Sequence, residues 1–156
     1  MEVNLNYFKQ NYLVVGLSEE DIKKVADLAK VTTVEGGHEI VKLGEKNPDL
    51  YIILDGVAMV YRKGGILLGE RGPGSVIGEI ALVDDQPRSA YVVAKAYLTY
   101  AHIDGQELRK FMFQNEKIGF LMLSNLSRVL SMRLREASAT IEDLQGKIGD
   151  PWNFSD

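Results

Sequence analysis

The stretch GEIALVDDQPRSA, from Gly78 to Ala90, determines how this sequence is interpreted. It places a carboxylate, Glu79, nine positions before a guanidinium, Arg88, among small and apolar residues. Two interpretations are open at this point. Either the two side chains pair in a salt bridge that ties down a loop, or both face a molecule that is not protein.

The residue types in this stretch suit an anion. Gly78 has no side chain, so a ligand can approach its backbone closely. Residues 79–82 can form one helical turn whose first amides suit a phosphate, while Arg88 supplies a planar fork of donors and Ser89 a hydroxyl. Glu79 repels a phosphate but can accept hydrogen bonds from two sugar hydroxyls. A ligand that carries a phosphate close to a hydroxyl therefore satisfies both charges.

Short β-prone runs surround this stretch, separated by glycine-rich turns, over about residues 31–103. They include "HEIVKL", "LYIILDG", "VAMVYR", "ILLGER" and "AYVVAKAYLTYAHI". Many short strands with frequent turns predict a barrel or a sandwich. Before them, Ser18 is a candidate N-cap followed by three acids and apolar residues at helical spacing, which predicts a helix over 19–30.

The chain after the strands is helical in its periodicity. Asp104 is a candidate cap, and residues 105–145 predict one short and one long helix with a break near Asn115, the long one over 117–145. Residues 146–156 contain helix breakers and are interpreted as a mobile tail. The predicted fold is mostly β in a single domain: a jelly-roll-like β-roll (a double-stranded β-helix), an N-terminal helix, a short helix and a long C-terminal helix.

The opening stretch resembles a known motif. Gly78-Glu79-Ile80-Ala81-Leu82, followed by Pro87-Arg88-Ser89-Ala90, is similar to the phosphate-binding cassette of cyclic-nucleotide-binding domains, which occur in catabolite activator proteins, cyclic-AMP-dependent kinase regulatory subunits and cyclic-nucleotide-gated channels. The likeness spans about residues 15–145. In that family the glutamate binds the ribose 2′-hydroxyl and the arginine the cyclic phosphate. The resemblance implies these roles here and favours cyclic AMP as ligand, with cyclic GMP as the alternative.

The resemblance also implies the other contacts of the ligand. Phosphate contacts come largely from backbone amides within residues 78–90, an apolar wall from the strands, and base contacts from the long helix. The predicted binding set is Val60, Leu68, Ile77, Gly78, Glu79, Ile80, Ala81, Arg88, Ser89, Ala90, Arg133 and Leu134. For Val60 and Leu68 the alternative is ordinary core, and for Arg133 it is a solvated arginine on an exposed helix face.

A heptad-like seam runs along the end of the long helix. Apolar residues recur there at spacings of 4, 3, 4, 3 and 4, which is typical of a two-stranded coil. They are Leu130, Leu134, Ala137, Ile141, Leu144 and Ile148. The resemblance implies a homodimer through this helix; the alternative is a helix that packs on its own β-roll.

Composition excludes several classes of function. With no cysteine, the chain forms no disulfide, thiolate metal site or cysteine nucleophile. Its two histidines, His38 and His102, lie far apart without a His-x-His pair, so a cupin-type metalloenzyme is not predicted, and neither catalytic nor metal-binding residues are assigned. No signal peptide or long apolar run is present, which predicts a soluble cytoplasmic protein without a membrane partner.

DNA binding is not predicted either. The net charge is −4, whereas proteins that bind the DNA backbone normally carry a basic face. A helix-turn-helix module takes roughly 60–70 residues, and only about a dozen follow Leu144. The predicted function is a cyclic-nucleotide sensor that signals through its oligomeric state or an unidentified protein effector. A catabolite-activator-type transcription regulator whose sequence stops before its DNA-binding module is the alternative.

Overall fold

Two four-stranded antiparallel sheets enclose part of the core between them. The computed structural model describes residues 5–148, with side chains for residues 5–146. The strands are β1 Lys30–Val34, β2 Glu39–Val41, β3 Leu50–Asp55, β4 Ala58–Arg62, β5 Ile66–Arg71, β6 Val76–Ile77, β7 Tyr91–Ala94 and β8 Leu98–Ile103. One sheet has the order β1-β8-β3-β6 and the other β2-β7-β4-β5. This arrangement confirms the predicted β-roll.

Helices precede and follow the strands in the chain, and one short helix lies between β6 and β7. They are α1 Leu5–Phe8, a 3-10 turn Tyr12–Val14, α2 Glu19–Ala26, α3 Ala81–Asp84, α4 Gly105–Gln114 and α5 Glu116–Ile148. Within residues 5–148 no helix is both long enough and apolar enough to cross a membrane.

Strand β3 is buried on both faces, because side chains alternate along a strand and each face meets a different part of the core. Leu50, Ile52 and Leu54 belong to the cluster that the helices complete. Tyr51 and Ile53 belong to the cluster inside the roll. The run "LYIILD" therefore lacks the polar alternation of a strand that faces solvent on one side.

The turn from β3 to β4 requires glycine. Gly56 has a φ of +85°, and a Cβ at this position would lie 2.4 Å from the Tyr97 carbonyl oxygen. A side chain is therefore excluded both by conformation and by the neighbouring β7–β8 turn.

Capping residues place the helix starts where the sequence predicts them. The Ser18 hydroxyl accepts a hydrogen bond from the Asp21 amide at 3.2 Å. The predicted end of this helix at residue 30 is wrong, since α2 ends at Ala26 and the chain turns through residues 27–29. Lys30 is already paired with β8 as the first residue of β1, so it is not available to the helix.

The two C-terminal helices follow the prediction closely. Asp104 caps α4 by accepting hydrogen bonds from the amides of Gln106 and Glu107, each at 2.9 Å. The helix break lies at Asn115, whose φ of −122° and ψ of 68° are not helical. Helix α5 continues to Ile148, beyond the predicted end at 145, so the predicted tail is helical at 146–148. Residues 149–156 of that tail lie outside the described residues.

The N-terminal segment, to which the sequence pattern assigned no element before residue 19, packs against α5. Asn11 is fully buried, and its side-chain oxygen accepts a hydrogen bond from the Leu13 amide at 3.0 Å. Asn125 of α5 donates to the carbonyl oxygens of Leu13 and Val15 at 3.1 and 2.8 Å. The Asn125 bonds join residues 13–15 to the first half of the long helix.

Candidate functional site

A cavity of about 250 Å³ lies between residues 78–90, named the cassette below, and helix α5. Strands β2, β4, β5, β6 and β7 contribute side chains to its wall. Ten of the twelve predicted binding positions line it. They are Val60, Ile77, Gly78, Glu79, Ile80, Ala81, Arg88, Ser89, Ala90 and Arg133.

Leu68 and Leu134 are not among the residues that line the cavity. In the pairing of β4 with β5, Val60 is opposite Gly69 and Tyr61 is opposite Leu67, so Leu68 is the extra residue of a bulge and is 50% exposed. Leu134 is 69% exposed. Consecutive helical residues point about 100° apart, so Leu134 faces away when Arg133 faces the cavity.

Arg88 is a buried cation held by backbone carbonyl groups. It is 7% exposed. Its Nη1 donates to the Gly78 carbonyl oxygen at 3.1 Å, and its Nη2 donates to the Asp49 carbonyl oxygen at 2.5 Å. Its buried Nε lacks a hydrogen-bond partner within the described part of the chain. Burial lowers the pKa of the guanidinium from its usual value, but an arginine stays charged in proteins. The cavity wall thus carries a positive charge at Arg88.

Gly78 makes room for this arginine. Its φ is +92°, and a Cβ built on it would lie 2.4 Å from Arg88 Nη1 and 2.5 Å from the Asp49 carbonyl oxygen. The glycine is therefore required by the position of the guanidinium as well as by its own backbone conformation. It also leaves the backbone open to a ligand.

Glu79 pairs with Arg133 of α5, rather than with Arg88. The Glu79 carboxylate accepts a short charge-assisted hydrogen bond from Arg133 Nη1. The Glu79 side chain is 7% exposed and that of Arg133 is 42% exposed. The Glu79–Arg88 salt bridge that the sequence left open is thus replaced by a contact between cassette and helix, 54 residues apart along the chain. Arg133 is also not the freely solvated arginine of the alternative interpretation.

Tyr12, which sequence reasoning missed, lies beside this ion pair. Burial raises the pKa of its phenol above the ordinary value, Glu79 raises it further, and Arg133 acts in the opposite direction. Its hydroxyl is buried and, among the described residues, has no hydrogen-bond partner. The N-terminal segment therefore interacts electrostatically with the Glu79–Arg133 pair through Tyr12. No signal in the local sequence around Tyr12 indicates this placement.

The helical turn of the cassette begins later than predicted. It is α3, Ala81–Asp84, rather than residues 79–82. Arg109 of α4 fixes its C-terminal end by donating to the carbonyl oxygens of Ala81 and Leu82 at 3.0 and 2.8 Å and to the Asp85 carboxylate at 2.7 Å. A cation at the end of a helix that presents free carbonyl groups is favourable. Arg109 thereby joins the cassette to the C-terminal helices.

One further lining residue, Arg71, was not predicted, because its face depends on the register of β5 against β4. It lies opposite Ala58 in the β4–β5 pair, and therefore on the same face as Val60 and Gly69. The guanidinium is folded back, with Nη1 donating to the Glu70 carbonyl oxygen at 2.9 Å. The other residues of the wall that the sequence did not indicate are Val41, Val76, Asp84, Gln86, Pro87 and Val92.

The two histidines lie in different environments. His38 is exposed beside the β1–β2 turn, whereas His102 of β8 is bonded to Asp49. Over the residues with described side chains, no group of three or more histidine, aspartate or glutamate side chains is placed to hold a metal ion.

Comparison with known proteins gives a consistent result. Residues 31–115 match a family model described as the cyclic nucleotide-binding domain. The cAMP-dependent protein kinase regulatory subunit of Yarrowia lipolytica is 31% identical over 102 residues, which are 65% of this chain and 27% of that protein. Glutaminase 1 of Bradyrhizobium diazoefficiens is 26% identical over 132 residues, 85% of this chain and 21% of that protein. The chain thus spans about a quarter of these relatives or less.

Among solved structures, the Thermus thermophilus catabolite activator protein is similar throughout the fold. The TM-score is 0.76 at 26% sequence identity, with 86% of this chain and 63% of that chain covered.

Proposed function

Because the chain belongs to the cyclic nucleotide-binding domain family, we propose that its cavity binds a 3′,5′-cyclic mononucleotide, with cyclic AMP preferred to cyclic GMP. The chain serves as a regulatory module and not as an enzyme. Its cytoplasmic location and its lack of DNA binding remain predictions from the sequence.

The observation that carries this proposal is the buried guanidinium of Arg88. Its hydrogen bonds go to carbonyl oxygens, which position it without neutralising it, and its Nε donor is free within the described part of the chain. A buried cation of this kind is favourable when an anion completes it. A cyclic phosphate beside Gly78, with the Ser89 hydroxyl and the Ala90 backbone around it, supplies that anion.

Glu79 supports the nucleotide assignment over a simple phosphate. A carboxylate in an anion site is unfavourable for inorganic phosphate, but it can accept a hydrogen bond from a ribose hydroxyl. The carboxylate is buried and already binds a donor, Arg133. The ribose 2′-hydroxyl therefore competes with Arg133 for Glu79, or shares the carboxylate with it.

The base then lies between the strand wall and α5. Val60 supplies apolar contact from β4, and Arg133 is at the right place to stack on the purine or donate to its edge once it leaves Glu79. Cyclic AMP is preferred here because the curated relative from Yarrowia lipolytica is named as cAMP-dependent. Ser89 does not by itself distinguish adenine from guanine.

We assign the output to α5. Residues 131–146 are exposed throughout, and the apolar seam within them includes Leu134, Ile141 and Leu144 at 69, 55 and 52% exposure. Phe120 and Leu123, earlier in the helix, are also 71 and 43% exposed, although Ser127 interrupts the apolar spacing between Leu123 and Leu130. A long exposed seam of this kind favours pairing with a second copy of the chain. The side chain of Ile148, the last seam position, lies outside the described residues.

The deciding experiment is calorimetric titration of the nucleotide-free protein. The ligands are cyclic AMP, cyclic GMP and the cyclic dinucleotides, with 5′-AMP as the control that lacks the cyclic phosphate. We expect saturable binding of cyclic AMP, weaker binding of cyclic GMP, and little binding of 5′-AMP. A folded protein that none of the cyclic nucleotides titrates would refute the proposal. Tighter binding of cyclic GMP would refute only the choice of base.

A further inference from the structure

Asp49 and His102 form a second polar pair, and neither is among the residues that line the cavity. We infer that Asp49 and His102 are positioning residues for Arg88, and that they make phosphate binding depend on the protonation of His102. The inference rests on the function proposed above, since it concerns the affinity of the same site.

Asp49 connects three parts of the protein through its three oxygen atoms. Its carbonyl oxygen accepts from Arg88 Nη2 at 2.5 Å. One carboxylate oxygen, Oδ1, accepts from the Gly105 amide at the start of α4 at 3.0 Å. The other, Oδ2, lies 2.7 Å from His102 Nε2. A change at His102 therefore acts on the residue that holds the guanidinium.

The position of His102 is well defined by its neighbours. Its ring stacks on that of Tyr51, with centroids 5.0 Å apart and planes at 11°. Lys30 is its cross-strand neighbour in the β1–β8 pair. The side chain is 33% exposed, so protons from solvent can reach it.

Several groups besides His102 act on the charge of Arg88. The Glu45 carbonyl oxygen accepts from the Arg88 amide at 2.9 Å, and the Glu45 carboxylate acts on the charge of Arg88. Tyr51, Asp49 and Glu79 act on the same guanidinium. The surroundings of Arg88 thus hold more carboxylate than cationic charge when His102 is neutral.

The sign of the effect follows from this balance. Neutral His102 can donate from Nε2 to Asp49, so the geometry does not depend on the charge of the ring. Protonation adds one positive charge beside the Asp49 carboxylate and offsets its charge. A cyclic phosphodiester keeps one negative charge at neutral and mildly acidic pH, so the pH dependence comes from the protein. Affinity for cyclic AMP should therefore be about twofold to fivefold higher at pH 6.0 than at pH 8.5.

The test compares the wild-type protein with two variants, titrated with cyclic AMP from pH 6.0 to pH 8.5. His102→Gln keeps an amide donor for Asp49 but cannot be protonated, so its affinity should stay at the wild-type pH 8.5 value throughout. His38→Gln is the matched control, because His38 is the other histidine of the chain and is exposed. It should retain the wild-type pH dependence.

A second measurement needs no variant. At pH 6.5, cyclic AMP should move the ring carbon NMR signals of His102 toward the protonated form and leave those of His38 in place, because linkage between two sites is reciprocal.

The possible failures are distinguishable. Absence of cyclic-nucleotide binding at every pH overturns the proposed function and this inference together. Binding with the same affinity from pH 6.0 to 8.5, or a pH dependence that survives His102→Gln, overturns this inference alone. If His102→Gln does not fold, unchanged His102 signals on adding cyclic AMP overturn it in the wild-type protein.

Discussion

The cassette and the second half of α5 meet at the Glu79–Arg133 ion pair, but the rest of the protein holds them very differently. In the cassette Glu79, Ala81, Leu82 and Arg88 are buried. From residue 131 to 146 every residue of α5 is exposed. The chemistry that would bind a ligand is thus part of the packed roll, whereas the helix that would respond has little buried surface to hold it.

The change from buried to exposed side chains occurs within helix α5. Ile118, Met122 and Leu126 in the first half of α5 are buried in the core, and Asn125 is bonded to the N-terminal segment. Leu130 is the last residue of the helix that packs against this cluster. The first half of α5 can therefore stay in place while the second half moves. A ligand that binds Glu79 would alter the Glu79–Arg133 ion pair and with it the position of the second half relative to the cassette.

The largest expected effect concerns the exposure of this second half, which a dimer would cover. Leu134→Glu combined with Ile141→Glu should abolish dimer formation, because like charges would face each other along the seam. Light scattering should then give 17.4 kDa in place of twice that mass. Asp143→Ala and Gln145→Ala, off the seam, serve as controls. A wild-type protein that is monomeric at high concentration would contradict the proposed dimer.

The next prediction tests Arg88 in the buried cassette. Arg88→Ala should weaken binding of cyclic AMP at least tenfold, since a charge-assisted hydrogen bond contributes roughly 1.5–3 kcal/mol. Calorimetry measures this, with the exposed Arg62→Ala as the matched control. The affinity of Arg88→Lys should lie between those of the wild type and Arg88→Ala, because lysine keeps the positive charge but lacks the planar set of guanidinium donors. Wild-type affinity in Arg88→Ala would show that the phosphate lies elsewhere.

Glu79→Ala should weaken cyclic AMP binding by a comparable factor, about tenfold, through the loss of the ribose contact. The substitution also removes the partner of Arg133. The two effects separate if 2′-deoxy-cyclic AMP is titrated in parallel, because that ligand cannot make the hydrogen bond and should bind both proteins alike. If Glu79→Ala also weakens the binding of 2′-deoxy-cyclic AMP about tenfold, Glu79 has only a structural role.

A smaller effect is expected for Arg133, in the ion pair that joins the cassette to α5. Arg133→Ala removes a competitor for Glu79 and also a base contact, so we expect affinity to fall by less than about fivefold. Hydrogen exchange tests the mechanism more directly. Cyclic AMP should slow exchange in α5 as well as in the cassette of the wild-type protein, and only in the cassette of Arg133→Ala. Protection confined to residues 78–90 in the wild type would leave α5 as a dimer element without a role in switching.

The smallest effect involves Tyr12, behind the same ion pair. Its phenol has a raised pKa in the folded protein, so the folded protein keeps this proton at a pH where the unfolded chain has lost it. The stabilisation is present below the ordinary value of about 10 and is lost as the pH rises through the folded value.

Urea denaturation from pH 8 to pH 11 should therefore show a steeper fall in the free energy of unfolding for the wild type than for Tyr12→Phe. The difference is at most about 1.4 kcal/mol per pH unit. Tyr51, whose pKa is raised to about 12 mainly by burial, contributes to both proteins equally. Equal slopes for wild type and Tyr12→Phe would contradict the placement of this phenol.

Local features of the sequence were sufficient for much of the fold. The caps at Ser18 and Asp104 act on amides two or three residues away, and the break at Asn115 depends on its own backbone conformation. Strand periodicity and glycine turns likewise depend on near neighbours. Most of the cavity lining could be inferred as well, because the cassette is continuous in sequence and brings its own chemistry with it.

Contacts between distant parts of the chain could not be inferred in this way. Three of these contacts depend on how sheets and helices pack. Glu79 pairs with Arg133 instead of Arg88. Arg109 bonds to α3, and the Asp49 carbonyl oxygen accepts from Arg88. The bulge that turns Leu68 away from the cavity depends on register against β4. By itself, then, the sequence determined which chemical groups this protein carries and which segments present them. Tertiary packing decided their partners, because a side chain's partner depends on distance in space, and residues far apart in the chain become neighbours only in the fold.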